Sequence, residues 1–446
     1  MKPELSSHFQ KRKPSVIRTA QIEFQKRRDG VEAVNVAIGN VSLPMHPAMV
    51  RRLADLQVQG SPFRDGAVRY TPTAGLEETR RAFRHIIASS GFPADHLYVQ
   101  VTDGGSQAME LVIVGVCGDA GTGEKPLLII DPTYTNYTAM AARLGRGVVC
   151  LQRTLQDDGR FTLPDRSRIE AIIRERRPGA LLVIPYDNPS GQLYSRRQML
   201  ELAELCVRYN LWIISDEAYR ELLYTGGETV SIWGISNREV AGIEGRRISV
   251  ETSSKVWNAC GLRIGALVTD NEDFHVRGVA EYTANLCPNA IGQYIFAGLA
   301  AESHEQLSRW YAQQRKYYKS MLTELVSRME ALLPGIIVSS PDASIYSVVD
   351  VRRIAPADFD AMSFVLYCAR EGAVEIGGKR LTLLVAPMSG FYDLPAEANP
   401  GRTQMRIAYV QPPERMKLVP ELFKGLLQGF LKRLEQVRPA SAEVRR

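Results

Sequence analysis

Across its 446 residues the chain has no apolar run approaching the roughly 20 residues of a membrane-spanning helix, and no membrane partner is expected. The N-terminal MKPELSSHFQKRKPSV lacks the apolar core of a secretory signal. Cysteine is scarce. The six residues Cys117, Cys150, Cys206, Cys260, Cys287 and Cys368 form no close pair, which argues against a metal knuckle or a redox motif. Several sit in apolar runs, where cysteine acts as a small buried hydrophobe. A large excess of one charge is also missing: 55 Lys and Arg against 49 Asp and Glu leave +6. The densest basic clusters, Lys11, Arg12 and Lys13 and then Arg445 and Arg446, read as solvated ends, so no nucleic-acid partner is expected. There is no internal repeat and no low-complexity segment. What remains, 45% hydrophobic and 23% charged residues, is the composition of a reduced, cytoplasmic, enzyme-sized protein of two or three domains.

Along the chain, a polar stretch reads as helical up to about Arg28, followed by an apolar segment, Val34 to Ile38. Met49–Leu56 and Leu76–Ser89 have helical periodicity. From HLYVQVT onward, strand, turn and helix alternate. Leu127–Ile130, Leu181–Ile184, Leu211–Ser215, Arg247–Val250 and Ile264–Val268 read as apolar strands, with helices such as Ser167–Glu175 and Arg196–Tyr209 between them. Continuous apolar strands separated by helices predict a mainly parallel sheet covered on both faces. Ligands of such sheets bind at the carboxyl ends of strands, where Gly105, Ser106, Tyr134, Asn188, Asp216 and Tyr219 fall. A long helical region, Glu302 to Leu333, ends at Pro334-Gly335. The remainder mixes strands (Ile336–Ser339, Tyr346–Val351, Met405–Tyr409) with helices (Asp358–Glu371, Pro420–Leu434), as in a smaller α+β domain.

The chain's chemistry centres on ETSSKVWNACGLRIG, Glu251 to Gly265. Lys255 lies between two apolar strands behind Thr252, Ser253 and Ser254, with Arg263 eight residues on. A partly desolvated amine becomes a neutral nucleophile more easily and is suited to a Schiff base. The hydroxyls and Arg263 are donors for a phosphate on the aldehyde's carrier. Gly105 and Ser106, where a strand turns into a helix, present free N–H groups to an anion. Taken singly these residues have plainer readings: Asp216 as a helix cap, Asn188 as a turn residue, Tyr134 as core.

The phrases YTPTAGLEETR, VTDGGSQAMEL, DPTYTNY, PYDNPSGQ, ISDEAYREL, SSKVWNACGLRIG and MRIAYV occur in this order. Asn188 precedes Asp216 by 28 residues, and Asp216 precedes Lys255 by 39. In order and spacing the chain resembles the fold-type-I pyridoxal-phosphate enzymes, specifically the class I/II aminotransferases, from about Gly39 to Tyr409. The resemblance implies an α/β fold with a mainly parallel seven-stranded sheet, and a smaller α+β domain built from both termini. The expected division is 1–58, 59–305 and 306–446. The cofactor implied is pyridoxal 5'-phosphate, joined to Lys255 as a Schiff base. Asp216 would face the pyridine nitrogen, and Tyr219 and Asn188 the ring's phenolic oxygen. Tyr134, or else Tyr137, would stack on the ring. Gly105, Ser106, Thr252, Ser254 and Arg263 would hold the phosphate, joined by Tyr70 from a neighbouring subunit in a homodimer with shared sites. Arg406 would grip the substrate α-carboxylate and Gly39 would lie against it.

The implied activity is ping-pong transfer of an α-amino group from an L-amino acid to a 2-oxo acid such as 2-oxoglutarate. ACGLRIGALVT is similar to some aspartate-type members; Arg64 and Arg69 are the candidates for a distal carboxylate. After Gly39 the sequence reads GNVSLP instead of the commoner acidic residue and proline. A carbon–sulfur lyase or other elimination enzyme is the alternative within this fold. A non-catalytic regulator is disfavoured, because few residues precede Gly39 and the site residues are all present.

Overall fold

The architecture comes from a computed structural model that describes residues 3–12 and 14–437. Seven strands form the main sheet: β1 (Tyr98–Thr102), β2 (Leu127–Asp131), β3 (Val148–Gln152), β4 (Ala180–Val183), β5 (Trp212–Asp216), β6 (Arg247–Thr252) and β7 (Gly265–Thr269). Their spatial order is β1-β7-β6-β5-β4-β2-β3, and only β7 runs against its neighbours. Because both faces are covered, alternate residues of one strand enter different cores. In β2, Leu128 and Ile130 join one core while Leu127 and Ile129 join the other. Leu181 and Leu182 of β4 divide in the same way. This explains why these strands read as unbroken apolar runs.

The N-terminal stretch departs from expectation. Instead of one helix reaching Arg28, Ser7–Gln10 forms a single turn and α1 spans Val16–Phe24. Pro14 has no N–H to continue a helical ladder, so the helix restarts after it, with Ser15 in the cap position. Lys11 and Arg12 are exposed, whereas Lys13, Arg445 and Arg446 lie outside the described residues.

Residues far apart in sequence meet in the smaller sheets. Glu32–Asn35 pairs in parallel with Lys379–Leu384, a strand the sequence reading did not anticipate. The chain then runs beside β9 (Gln404–Ala408), where the Ala408 N–H donates to the Val36 carbonyl at 2.8 Å. β8 (Tyr346–Asp350) pairs antiparallel with β9 and sets Val348 opposite Arg406. These pairings bring Gly39, Tyr346 and Arg406 together.

Two helices serve the main-sheet side of the site. α2 (Gly105–Val116) starts immediately after β1. α3 (His304–Leu332) is fixed at its start by a capping box between Ser303 and Gln306. It braces the loop after Lys255: Trp310 Nε1 donates to the Val256 carbonyl at 2.8 Å. His46 packs edge-on against both Trp257 and Trp310, and burial lowers its pKa to about 4, so it stays neutral as a packing residue. No helix among the described residues is long and apolar enough to cross a membrane.

Candidate functional site

A cavity of about 250 Å³ opens at the carboxyl ends of the strands of the main sheet. Gly39, Gly105, Ser106, Tyr134, Asn188, Asp216, Tyr219, Thr252, Ser254, Lys255, Arg263 and Arg406 all line it. Tyr70, expected at the cofactor phosphate, is elsewhere; it is 79% exposed on the surface of this chain. Arg64 and Arg69 are also exposed and outside the cavity, and Arg69 pairs with Asp65 at 3.3 Å.

On one wall, β1 ends at Thr102 and the chain turns through Gly104 at φ +88°, a conformation that favours glycine. The turn aims the first N–H groups of α2 into the cavity. A Cβ on Gly104 would come within 2.2 Å of Arg263 Nη2, so the arginine packs where only glycine leaves room. Arg263 is itself left-handed at φ +55°, and its Nη1 donates to the Cys260 carbonyl at 3.0 Å. The Thr252 and Ser254 hydroxyls lie 2.8 Å apart beside it. Backbone amides, two hydroxyls and a guanidinium on one wall form a donor set suited to a phosphate.

Asp216, at the end of β5, accepts hydrogen bonds from the Tyr137 hydroxyl and from the Ala218 N–H at 3.1 Å. It forms no ion pair among the described residues, and desolvation raises its pKa. A desolvated carboxylate that pairs with no cation among the described residues fits a protonated ring nitrogen. Tyr137, the second candidate for ring stacking, is thus hydrogen-bonded to Asp216, while Tyr134 borders the cavity and accepts from Asn136 Nδ2 at 2.8 Å. Lys255, three residues past β6, points its Nζ into the same space and donates to the Gly39 carbonyl.

The opposite wall belongs to Arg406. Although an arginine between Met405 and Ile407 on a strand ordinarily faces solvent, here it is 2% exposed. Nη1 donates to Asn188 Oδ1 at 2.9 Å and Nη2 to the Ala37 carbonyl at 2.7 Å, while Nε has no partner. Among the described residues it has no carboxylate partner, and a buried guanidinium calls for an anion.

Sequence reasoning missed Tyr346 and Arg18. The Tyr346 hydroxyl lies 2.9 Å from that of Tyr219. Arg18, on α1, lines the cavity and has no ion-pair partner among the described residues. A lone tyrosine in an apolar strand and an arginine in a polar N-terminal helix carry no local signal. Only the chain's return across the small sheets brings them in.

A family model described as aminotransferase class I and II matches residues 32–383. The aspartate/prephenate aminotransferase of Thermus thermophilus is 28% identical over 370 residues, covering 81% of this chain and 88% of that protein. An alanine aminotransferase 2-like protein of Danio rerio is 23% identical, covering 81% and 67%. Among solved structures, the Thermus thermophilus aspartate aminotransferase with maleate superimposes with a TM-score of 0.76 at 22% identity, over 95% of this chain and all of that one. The N-succinyldiaminopimelate aminotransferase of Mycobacterium tuberculosis gives 0.77 at 20% identity, again over 95% of this chain. At these identities the structural likeness speaks for the fold. The family match, spanning most of the chain, shows that this protein belongs to the class I and II aminotransferases, enzymes that use pyridoxal 5'-phosphate to move amino groups between amino and oxo acids.

Proposed function

We propose that the cavity is the active site and that its residues divide the work as follows. Gly105, Ser106, Thr252, Ser254 and Arg263 hold the cofactor's phosphate, and Tyr134 covers the ring. Asp216 holds a proton on the ring nitrogen, and Tyr219 and Asn188 donate to the ring's phenolic oxygen. Bound pyridoxal phosphate supplies an electron sink and a carrier for the amino group. Arg406 grips the α-carboxylate of the amino acid in a bidentate pair, with Gly39 against it, so that the Cα proton lies within reach of Lys255 Nζ. Lys255 removes that proton and returns it on the cofactor side. The observation that carries this reading is Arg406: buried, without an anionic partner among the described residues, and facing the same cavity as Lys255 and Asp216. Purified enzyme mixed with a panel of amino acids should show a change in the cofactor's visible absorption and form the matching oxo acid. Release of ammonia and pyruvate without an acceptor would point to elimination instead.

The glycine turn gives a separate test. Gly104→Ala should weaken cofactor binding about tenfold by displacing Arg263, and its backbone, at positive φ with extended ψ, should cost about 1–3 kcal/mol of stability besides. Fluorescence titration of the cofactor-free protein reads this directly.

For the donor we propose an amino acid with an acidic side chain, and 2-oxoglutarate as acceptor. Arg18 supports this, being the cavity-lining cation with no role toward the cofactor or the α-carboxylate. Arg18→Ala should raise KM for aspartate or glutamate about tenfold, the worth of a charge-assisted hydrogen bond, while KM for alanine stays unchanged. An equal effect on all donors would remove Arg18 from specificity.

A cytoplasmic homodimer, with the three-part division at residues 58 and 305, completes the proposal. Exposed apolar residues support the dimer: Val68, Tyr70 and Leu286, the last tied to the Tyr70 loop through Thr73 at 2.9 Å. Sedimentation of wild type should report two chains. Tyr70→Phe should lower cofactor affinity if its hydroxyl reaches the neighbouring phosphate.

A further inference from the structure

Tyr346 touches three of the residues assigned above to the reaction. Its ring lies beneath Arg406, whose guanidinium carbon is 4.3 Å from the ring centroid, and Phe391 flanks the same guanidinium at 5.0 Å. Its hydroxyl is 2.9 Å from the Tyr219 hydroxyl. It also fills the space beside Gly39, where a Cβ would meet Tyr346 Oη at 2.2 Å and Lys255 Nζ at 3.2 Å. The residue is 2% exposed, and β8 is locked to β9 by the pairing that sets Tyr346 opposite Ala408.

Two hydroxyls in contact share one proton between them, so one donates and the other is left free to donate elsewhere. Tyr219 has no other side-chain partner among the described residues. We propose that Tyr346 is a positioning residue: its hydroxyl donates to Tyr219, which leaves the Tyr219 proton for the cofactor's phenolic oxygen, while its ring holds the Arg406 guanidinium in place for the carboxylate. This rests on the site assignment above. A phenol that accepts a hydrogen bond is a stronger donor in turn. Stacking under a desolvated guanidinium limits its swing without competing for its N–H groups. Among the described residues, Asp216, Lys255, Tyr134, Tyr318 and Arg406 are charged or titratable groups facing this pair.

A donor to the ring oxygen favours the deprotonated form of the bound cofactor, in which that oxygen carries the full charge. Weakening the donor therefore raises the pH midpoint of the cofactor's visible band. In the holoenzyme, Tyr346→Phe should move that midpoint up by about half a pH unit. Tyr219→Phe should move it further, and the double variant should add nothing to Tyr219→Phe, because the outer hydroxyl acts only through the inner one. Tyr346→Phe keeps the ring and should bind propionate, an unreactive carboxylate, as wild type does. Tyr346→Leu should weaken propionate binding about tenfold. An unmoved midpoint in Tyr346→Phe, additive shifts in the double variant, or equal propionate affinity in Tyr346→Leu would overturn the inference. Wild-type protein that shows no visible cofactor band would overturn the site assignment instead.

Discussion

Replacing Lys255 with alanine should reduce turnover about 10⁴-fold or more, since in the proposed site one amine would both join the cofactor covalently and move the proton. The structure leaves no substitute. Lys255 Nζ is held on the Gly39 carbonyl between the phosphate wall and Arg406, and the other cations lining the cavity are arginines. Lys255→Arg should be no better, because a guanidinium stays protonated and cannot act as a neutral nucleophile. Both variants should keep the fold, as the loop is braced from α3 through Trp310 and not through the lysine. Borohydride reduction followed by mass spectrometry supplies the covalent readout. Wild type should gain one cofactor on the peptide containing Lys255, and the variants none.

Asp216→Asn should act in opposite directions on the loaded and cofactor-free protein. In the loaded enzyme, on the proposed assignment, the ring nitrogen would lose the carboxylate that keeps it protonated, and turnover should fall roughly 10²–10⁴-fold. In the cofactor-free protein Asp216 is a desolvated carboxylate with a raised pKa. A carboxyl whose folded pKa lies above its unfolded value contributes most to stability below the unfolded value, and that contribution is lost as pH rises through the folded one. Asp216 is therefore a liability at neutral pH. The asparagine variant should melt about 2 °C higher than wild type near pH 8, with the difference closing as pH falls toward the ordinary carboxyl range. Thermal melts of cofactor-free protein across that span provide the measurement. A variant less stable at pH 8 would mean that the Tyr137 and Ala218 hydrogen bonds to Asp216 outweigh its desolvation.

Much of the cofactor wall was legible because its residues are local to strand ends. The turn after β1, Asp216 and Tyr219 after β5, and the Thr252–Arg263 loop after β6 each sit where an apolar run stops. In a parallel sheet buried on both faces, those stops share one edge. Glycine at 104 and 105 and the hydroxyls at 252 and 254 needed only that placement to form a donor set suited to a phosphate. The substrate wall was less legible. Arg406 is singled out by its motif, yet nothing around it in the chain says that it is buried, and Tyr137, the second candidate for the stacking ring after Tyr134, hydrogen-bonds Asp216.

The main sheet and the order of the candidate site residues along it can be read locally, because strand burial and loop composition are written within a few residues of one another. What lines the far side of the cavity depends on long-range packing. Parallel pairing of Glu32–Asn35 with Lys379–Leu384 carries Gly39 back across the site, β8 sets Tyr346 against Tyr219, and α1 brings Arg18 to the cavity. Those contacts join residues more than a hundred positions apart, so no local stretch of sequence carries them.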